Sequence, residues 1–408
     1  MRPDDRAMAL IRAGIAAADP AAAVSRGMAD VLADPPGPGG KWKIIALGKA
    51  ARAMAATAFE ALPGAEVLVV TNVGNDDPLA GARVMRAGHP QPDADGAAAA
   101  DEVQRILQST GPNDRVLALI SGGGSAMLPA PVEGMTLADK QEVNRLLLAS
   151  GADISQVNLI RQGLSRLKGG GWLRLSRAPV TALILSDVPG DDLRVIASGP
   201  TVAPVGSRAE AVALARELAI WDRMPEPARI ALQRPDDARS LPDARNILVG
   251  SNAISVSAMV EAGGEIAPIA LEGEVQDCAR AIWALAKGLR AHQALVFGGE
   301  TTVRLVGDGM GGRNQELALR LAMLAEQEPV DFDWAFASVG SDGRDGPGEA
   351  AGGLVGPQSI SAIRAAGIDP AEALSRNDST PALDAGGALV VTGATGTNVA
   401  DLAVLVRA

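Results

Sequence analysis

Residues 115–126 read Arg-Val-Leu-Ala-Leu-Ile-Ser-Gly-Gly-Gly-Ser-Ala, an apolar run that breaks abruptly into glycine. Val116 to Ile120 carry no polar alternation, which fits a parallel strand buried on both faces, since such a strand has no solvent side to mark. Ser121, Gly122, Gly123, Gly124 and Ser125 follow directly. Glycines let backbone N–H groups approach and face an anion, and the two flanking hydroxyls add donors. In open α/β sheets ligands sit at the carboxyl ends of the strands. This segment therefore predicts both a fold class and an anion site.

The rest of the chain repeats the grammar. Residues 4–32 read as one or two amphipathic helices broken near Pro20. Strands are expected at 43–47, 67–71, 83–87 and 180–185, and helices at about 48–62, 94–108, 137–150 and 155–167. Strands alternating with helices predict an α/β fold with a doubly wound parallel sheet. At 408 residues two domains are expected, and the Pro- and Asp-rich stretch 224–243 is the best boundary, dividing the chain into 1–235 and 236–408. Beyond it strands are expected at 246–250, 265–271, 294–298, 302–306, 334–339 and 387–392. Helices are expected at 252–262, 276–291, 313–326, 358–366 and 398–406. Ile282, Leu285 and Leu289 make a core stripe on the helix at 276–291.

Composition removes several function classes. A net charge of −11 suits neither nucleic acid nor an anionic membrane, so a bound anion needs local Lys or Arg. Cys278 is the only cysteine, which excludes disulfides and a cysteine zinc site, and His89 and His292 are too few for a histidine-rich metal site. No apolar run reaches about 18 residues, and the amino terminus lacks a signal-peptide pattern, so a soluble cytoplasmic protein is expected.

Chemistry gathers where strands end. Gly48-Lys49 stands at a strand-to-helix junction, where a lysine reaches a phosphate held at a helix amino terminus. It is not a Walker A loop, because Ala50 stands where the magnesium-binding hydroxyl belongs. Ser186-Asp187-Val188-Pro189-Gly190-Asp191-Asp192 offers carboxylates suited to magnesium or to a general base acting on a hydroxyl. Gly298-Gly299-Glu300 ends another strand, and Gly340-Ser341-Asp342 and Thr392-Gly393 end two more. Gly307, Gly309 and Gly312 formally satisfy G-x-G-x-x-G and raise a second reading, a dinucleotide site. That reading lacks the acidic residue closing a second strand, because Asp331 and Asp333 precede their strand instead of ending it. Arg313, with Asn314 beside it, opens the next helix and suits phosphate or carboxylate binding better through its planar fork.

Taken in order, these residues resemble the type 2 glycerate kinases, which join a Rossmann-like α/β domain to a C-terminal α/β domain carrying the MOFRL segment. The resemblance runs through Leu47-Gly48-Lys49-Ala50, Ala87-Gly88-His89-Pro90, Ser121 to Ala126, Lys168-Gly169-Gly170, Ser186 to Asp191 and Ser198-Gly199-Pro200-Thr201. It continues in Gly298 to Thr302, Gly311 to Glu316, Asp342-Gly343 with Asp345-Gly346-Pro347, Asn377-Asp378-Ser379 and Thr392 to Asn398. It implies ATP-dependent phosphorylation of D-glycerate on its 2-hydroxyl, with Mg2+ or another divalent metal; an NAD(P)H-dependent hydroxypyruvate reductase is the alternative reading, and a monomer or homodimer is expected. Lys49 and Arg313 would hold the transferring phosphoryl group and the substrate carboxylate across an interdomain cleft. Asp187 would orient the 2-hydroxyl, with Asp191 as the substitute, and the same two carboxylates would hold the metal. The Ser121–Ser125 loop would cradle an anion, and Glu300 and Asn314 would line the cleft. One departure stands out: the family reads Asn-x-x-Arg-Lys-His-Leu-Ser, and here Gln162-Gly163 replaces Lys-His after Asn158 and Arg161.

Overall fold

Val116–Ile120 lies at the middle of a six-stranded sheet. The computed structural model describes residues Met1–Ala408. Its first sheet contains β1 (Trp42–Leu47), β2 (Glu66–Asn72), β3 (Arg83–Ala87), β4 (Arg115–Ile120), β5 (Val180–Leu185) and β6 (Ala244–Gly250) in the order β3-β2-β1-β4-β5-β6. β1 to β5 pair in parallel, with Leu47 opposite Ile120. Ile45, Leu47, Ala118, Ile120, Ala182 and Ile184 bury one face against Val103, Ile106 and Leu107 of helix Ala94–Gln108. The opposite face receives Gly27 against Leu183 and Val249. With both faces covered, these strands lose polar alternation, as the sequence shows. A separate apolar cluster joins helices Leu137–Ala149, Ile154–Gly163, Arg208–Glu217 and Glu226–Gln233.

The second sheet holds β7 (Glu265–Ile266), β8 (Ala294–Gly299), β9 (Trp334–Gly340), β10 (Gly352–Val355), β11 (Leu389–Val390) and β12 (Asp401–Arg407), ordered β11-β10-β9-β12-β8-β7. It is mixed: β7 and β8 are parallel, and the other neighbours are antiparallel. Ala403 and Leu405 point into one core with Phe297 and Phe336, while Leu402, Val404 and Val406 pack with Leu10 and Ile11.

Four expectations are corrected. The chain divides into a unit of Ala23–Val249 and a unit of Met1–Ala22 with Gly250–Ala408, not at 235/236. The reason is that β6 completes the first sheet, whereas helix Pro3–Ala17 packs on β9 and β12. Residues 398–406 do not form a helix. Asp401–Arg407 is a strand between β8 and β9, and because both its faces are buried its apolar run has no period to distinguish helix from strand. Residues 302–306 form no strand and make only a bridge from Thr302 to Glu274. The helix expected at 155–167 ends at Gly163. No single helix is long and apolar enough to cross a membrane.

Candidate active site

The strand order reverses between β1 and β4, since the chain leaves β1 toward β2 on one side and enters β4 on the other. The carboxyl ends at such a reversal form the ligand crevice of doubly wound sheets. Gly48-Lys49 and Ser121–Ser125 are the two segments that leave β1 and β4 there. Lys49 N–H donates to Gly122 O at 2.9 Å, and Ser121 N–H donates to Leu47 O at 2.9 Å, so the two turns are stitched together. Gly48 has φ 115° with its α-carbon against Ser121, a place where no side chain fits. Lys49 itself is exposed.

The loop differs from expectation in which of its atoms are available. Ser121 is 1% exposed; its Oγ accepts from Ala50 N–H at 3.1 Å and donates to Leu47 O at 3.2 Å, so it braces the turn and has no hydrogen left for an anion. Ser125 Oγ is equally engaged, with Ser198 Oγ at 2.7 Å and Lys168 Nζ at 2.9 Å. The free donors are the N–H groups of Gly122, Gly123 and Gly124, none of which has a partner in the protein. Gly123, at φ 82°, takes the left-handed conformation from which a nest of successive amides is built.

Asp187 lies against this nest, where a Cβ on Gly122 would collide with its carboxylate. Asp191 follows on a 3-10 turn with φ 54° and makes no side-chain hydrogen bond, whereas Asp192 is tied to Arg194. No group of three or more His, Cys, Asp or Glu side chains gathers anywhere in a metal-binding arrangement. His89, remote in sequence, packs on Gly123. Burial holds its imidazole below the ordinary value, and the charge of Lys49 pushes the same way. Asp93 places it, accepting from Gly88 N–H at 2.9 Å while capping helix Ala94–Gln108.

In the other unit, Arg313 opens helix Arg313–Gln327. Asp345 caps that helix in place of Gly312, accepting from the N–H groups of Asn314 at 3.1 Å and Gln315 at 2.8 Å. Burial raises the Asp345 pKa against these donors. Arg313 is held bidentate by Asp401, at 2.6 and 3.0 Å, and pairs with Glu300 at 2.9 Å. β12 explains the meeting, because Asp401 sits in register with Gly299 of β8 and Gly340 of β9. Burial works against the Arg313 charge, but its bonds to Asp401 prevail and its pKa is raised. Asp401 is pushed up to about 6, mainly by burial, which Arg313 offsets only in part. Asn314, expected to line the cleft, is 1% exposed, and its Oδ1 accepts from Ser338 Oγ at 2.6 Å, so its side chain braces the helix.

Sequence reasoning gave no role to several residues that the fold makes prominent. Asp401 was hidden by the helical reading of its strand; its signal was an acid heading an apolar run after a Gly/Thr loop. Lys140, Arg161 and Lys168 converge on one cavity of about 280 Å³ beside His89 and Gly123. Lys140 carried no signal within Leu-Ala-Asp-Lys-Gln-Glu. The Gln162-Gly163 departure also has a structural account. Gln162 ties down three backbone groups, donating to Arg194 O and Ser198 O and accepting from Val205 N–H. A Cβ on Gly163 would stand 2.8 Å from Leu232, and the glycine borders a second cavity of about 600 Å³.

A doubly wound unit with a glycine turn and a lysine at its switch point, followed by a mixed-sheet unit, defines a two-domain protein of the α/β class. Residues 6–233 match the family described as a domain of unknown function, DUF4147, and residues 293–401 match the MOFRL family. A D-glycerate 2-kinase of Thermotoga maritima is 38% identical over 88% of this chain and 89% of its own. A protein of Agrobacterium vitis that bears a hydroxypyruvate reductase name is 40% identical over 96% of this chain and 91% of its own. The crystal structure of a glycerate kinase from Thermotoga maritima superimposes with a TM-score of 0.91 at 35% identity, covering 99% of both chains. The chain belongs to the DUF4147–MOFRL family of type 2 glycerate kinases.

Proposed function

We propose that this chain is an ATP-dependent glycerate kinase that phosphorylates the 2-hydroxyl of D-glycerate, giving 2-phosphoglycerate and ADP. The observation that carries this reading is the switch-point arrangement: three partnerless N–H groups at Gly122–Gly124 beside exposed Lys49, in a chain whose relatives include glycerate kinases. Phosphoryl transfer is largely positioning and charge neutralisation, which a fixed nest and a mobile ammonium supply without reorganising. The nest binds the phosphate chain of ATP, and Lys49 follows charge onto the moving phosphoryl group. Asp187, held against the nest, orients the 2-hydroxyl and accepts its proton. Mg2+ takes one or two carboxylates together with substrate phosphates, so Asp187 and Asp191 fit it without a protein cage. Bound there, it would supply charge neutralisation at the phosphates.

Arg313 is assigned to the same turnover as a cation already oriented by Asp401 and Glu300. Two carboxylates on one guanidinium leave no surplus positive charge, so its contribution is directional hydrogen bonding more than bulk neutralisation. Asp401 sets a pH dependence. As pH falls through about 6 its carboxylate takes up a proton and its ionic hold on Arg313 weakens. The expected kcat/KM profile therefore drops on the acid side with a midpoint near 6, and Asp401→Asn removes that limb at a lower plateau. A limb unchanged in Asp401→Asn contradicts the assignment.

The reductase reading loses its main support. The glycines at 307–312 follow no strand and are required by internal packing: a Cβ on Gly309 would stand 2.5 Å from Asp378 Cβ, and one on Gly312 would strike Asp345. The deciding assay measures ADP formed from ATP, Mg2+ and D-glycerate, with NADH and hydroxypyruvate in a parallel reaction. ADP release that depends on glycerate is expected, and NADH oxidation without it overturns the reading. A cytoplasmic location follows from the supply of ATP.

A further inference from the structure

The cavity of about 280 Å³ within residues 23–249 is walled by Lys140, Arg161 and Lys168, and no carboxylate lines it. Lys140 is 3% exposed, and the one charge acting on it is the like charge of Arg161. The only side-chain partner of Arg161 is the neutral amide of Asn144, at 2.9 Å. Lys168, 5% exposed, spends two of its three hydrogens on Ser125 O at 2.8 Å and Ser125 Oγ at 2.9 Å. The direction of that network is determined. Asn158 Oδ1 can only accept, so Ser198 donates to it at 2.7 Å, and Ser125 must then donate to Ser198. Lys168 is thus locked in place with one hydrogen left.

Burying cations without counter-charge is costly, and a native fold retains such a cluster only when something offsets that cost. A bound anion would supply that offset. We propose that this cavity is the subsite that takes the carboxylate of the three-carbon acid. The inference rests on the glycerate kinase reading and deepens it. Size argues against the nucleotide, since the volume falls just below the roughly 300–1,000 Å³ typical of drug-sized ligands. Charge argues likewise. A triphosphate arrives with a divalent cation that needs a carboxylate, and the cavity has none, whereas Asp187 lies on Gly122 of the same loop. The groups facing Lys140 are Arg161, Lys168 and His89, none of them acidic. Burial and the Arg161 charge push Lys140 down to about 8, and burial, Lys140 and Arg161 hold Lys168 well below the ordinary lysine value. A bound carboxylate reverses both shifts, so binding takes up protons near pH 8.

The test uses the full chain and the variants Lys140→Met and Arg161→Met. D-glycerate is titrated calorimetrically without nucleotide, in buffers of different ionisation enthalpy, and KM is measured for both substrates. Each variant is expected to raise the glycerate Kd and KM about 10- to 100-fold, the loss of a charged hydrogen bond, with the KM for ATP within about twofold. Wild type takes up protons on binding glycerate at pH 8 and does not bind glycerol, which lacks the carboxylate. Lys140→Met keeps or raises Tm, because it removes an uncompensated buried charge; a structural lysine would lose it. An unchanged glycerate KM, or a rise confined to ATP, overturns the subsite. If wild type fails to turn over glycerate at all, the kinase reading fails; if it turns over and both variants keep their KM, only the subsite does.

Discussion

Lys49→Ala lowers kcat by about 10²- to 10³-fold, the scale of losing one preorganised charge-stabilising donor in a transition state. Stability changes by no more than about 0.5 kcal/mol, because the Lys49 side chain is exposed and only its backbone N–H stitches the turn to Gly122. Alanine keeps that N–H. Steady-state kinetics and thermal unfolding of the same preparation separate the two effects. Near-normal turnover removes Lys49 from the mechanism. A large fall in Tm would show that the residue belongs to the scaffold.

Arg313→Ala combines a loss of turnover with a loss of stability. Asp401 is 1% exposed and loses its bidentate partner, which leaves a buried carboxylate unpaired. Breaking a buried pair from one side costs about 3–5 kcal/mol, and the partial exposure of Arg313 places this case at or below the low end. Turnover is expected to fall by about 10²- to 10³-fold. Arg313→Lys recovers neither fully, since a point charge cannot reproduce the planar fork on Asp401. Asp401→Asn separates the contributions: it removes the charge without leaving an unpaired buried ion, so it costs less stability than Arg313→Ala. Thermal melts and kcat/KM for the three variants check this order, and full activity in Arg313→Lys contradicts it.

How much of this was legible in the chain follows from burial. The first sheet was readable because β4 and β5 are short apolar runs bounded by Ser-Gly or Ser-Asp turns, which admit little besides a buried parallel strand. The switch point followed from those turns, and Lys49 with it. β12 was not readable: Asp-Leu-Ala-Val-Leu-Val-Arg buries both faces, and only long-range pairing to β8 and β9 makes it a strand. Asp401 was lost with it, and with Asp401 the reason that Arg313 is rigid. The glycine loop was legible as a turn at the switch point, but which of its polar atoms are left without a partner was not. Sequence cannot show that Ser121 and Ser125 turn inward, because both partners, Ala50 and Ser198, come from elsewhere in the chain. Lys140 and Arg161 lie on separate helices, and only the packing of Leu137–Ala149 with Ile154–Gly163 reveals that their charges share a cavity.

The central claim is transfer of a phosphoryl group to the 2-hydroxyl of D-glycerate. Proton-coupled phosphorus NMR of the product made from ATP, Mg2+ and D-glycerate tests it directly. A phosphate ester on C2 couples to one proton and gives a doublet, whereas an ester on C3 couples to two and gives a triplet. The account predicts a doublet growing in step with ADP. A triplet contradicts the assigned position, and no new phosphorus signal beside NADH-dependent reduction of hydroxypyruvate contradicts the kinase itself.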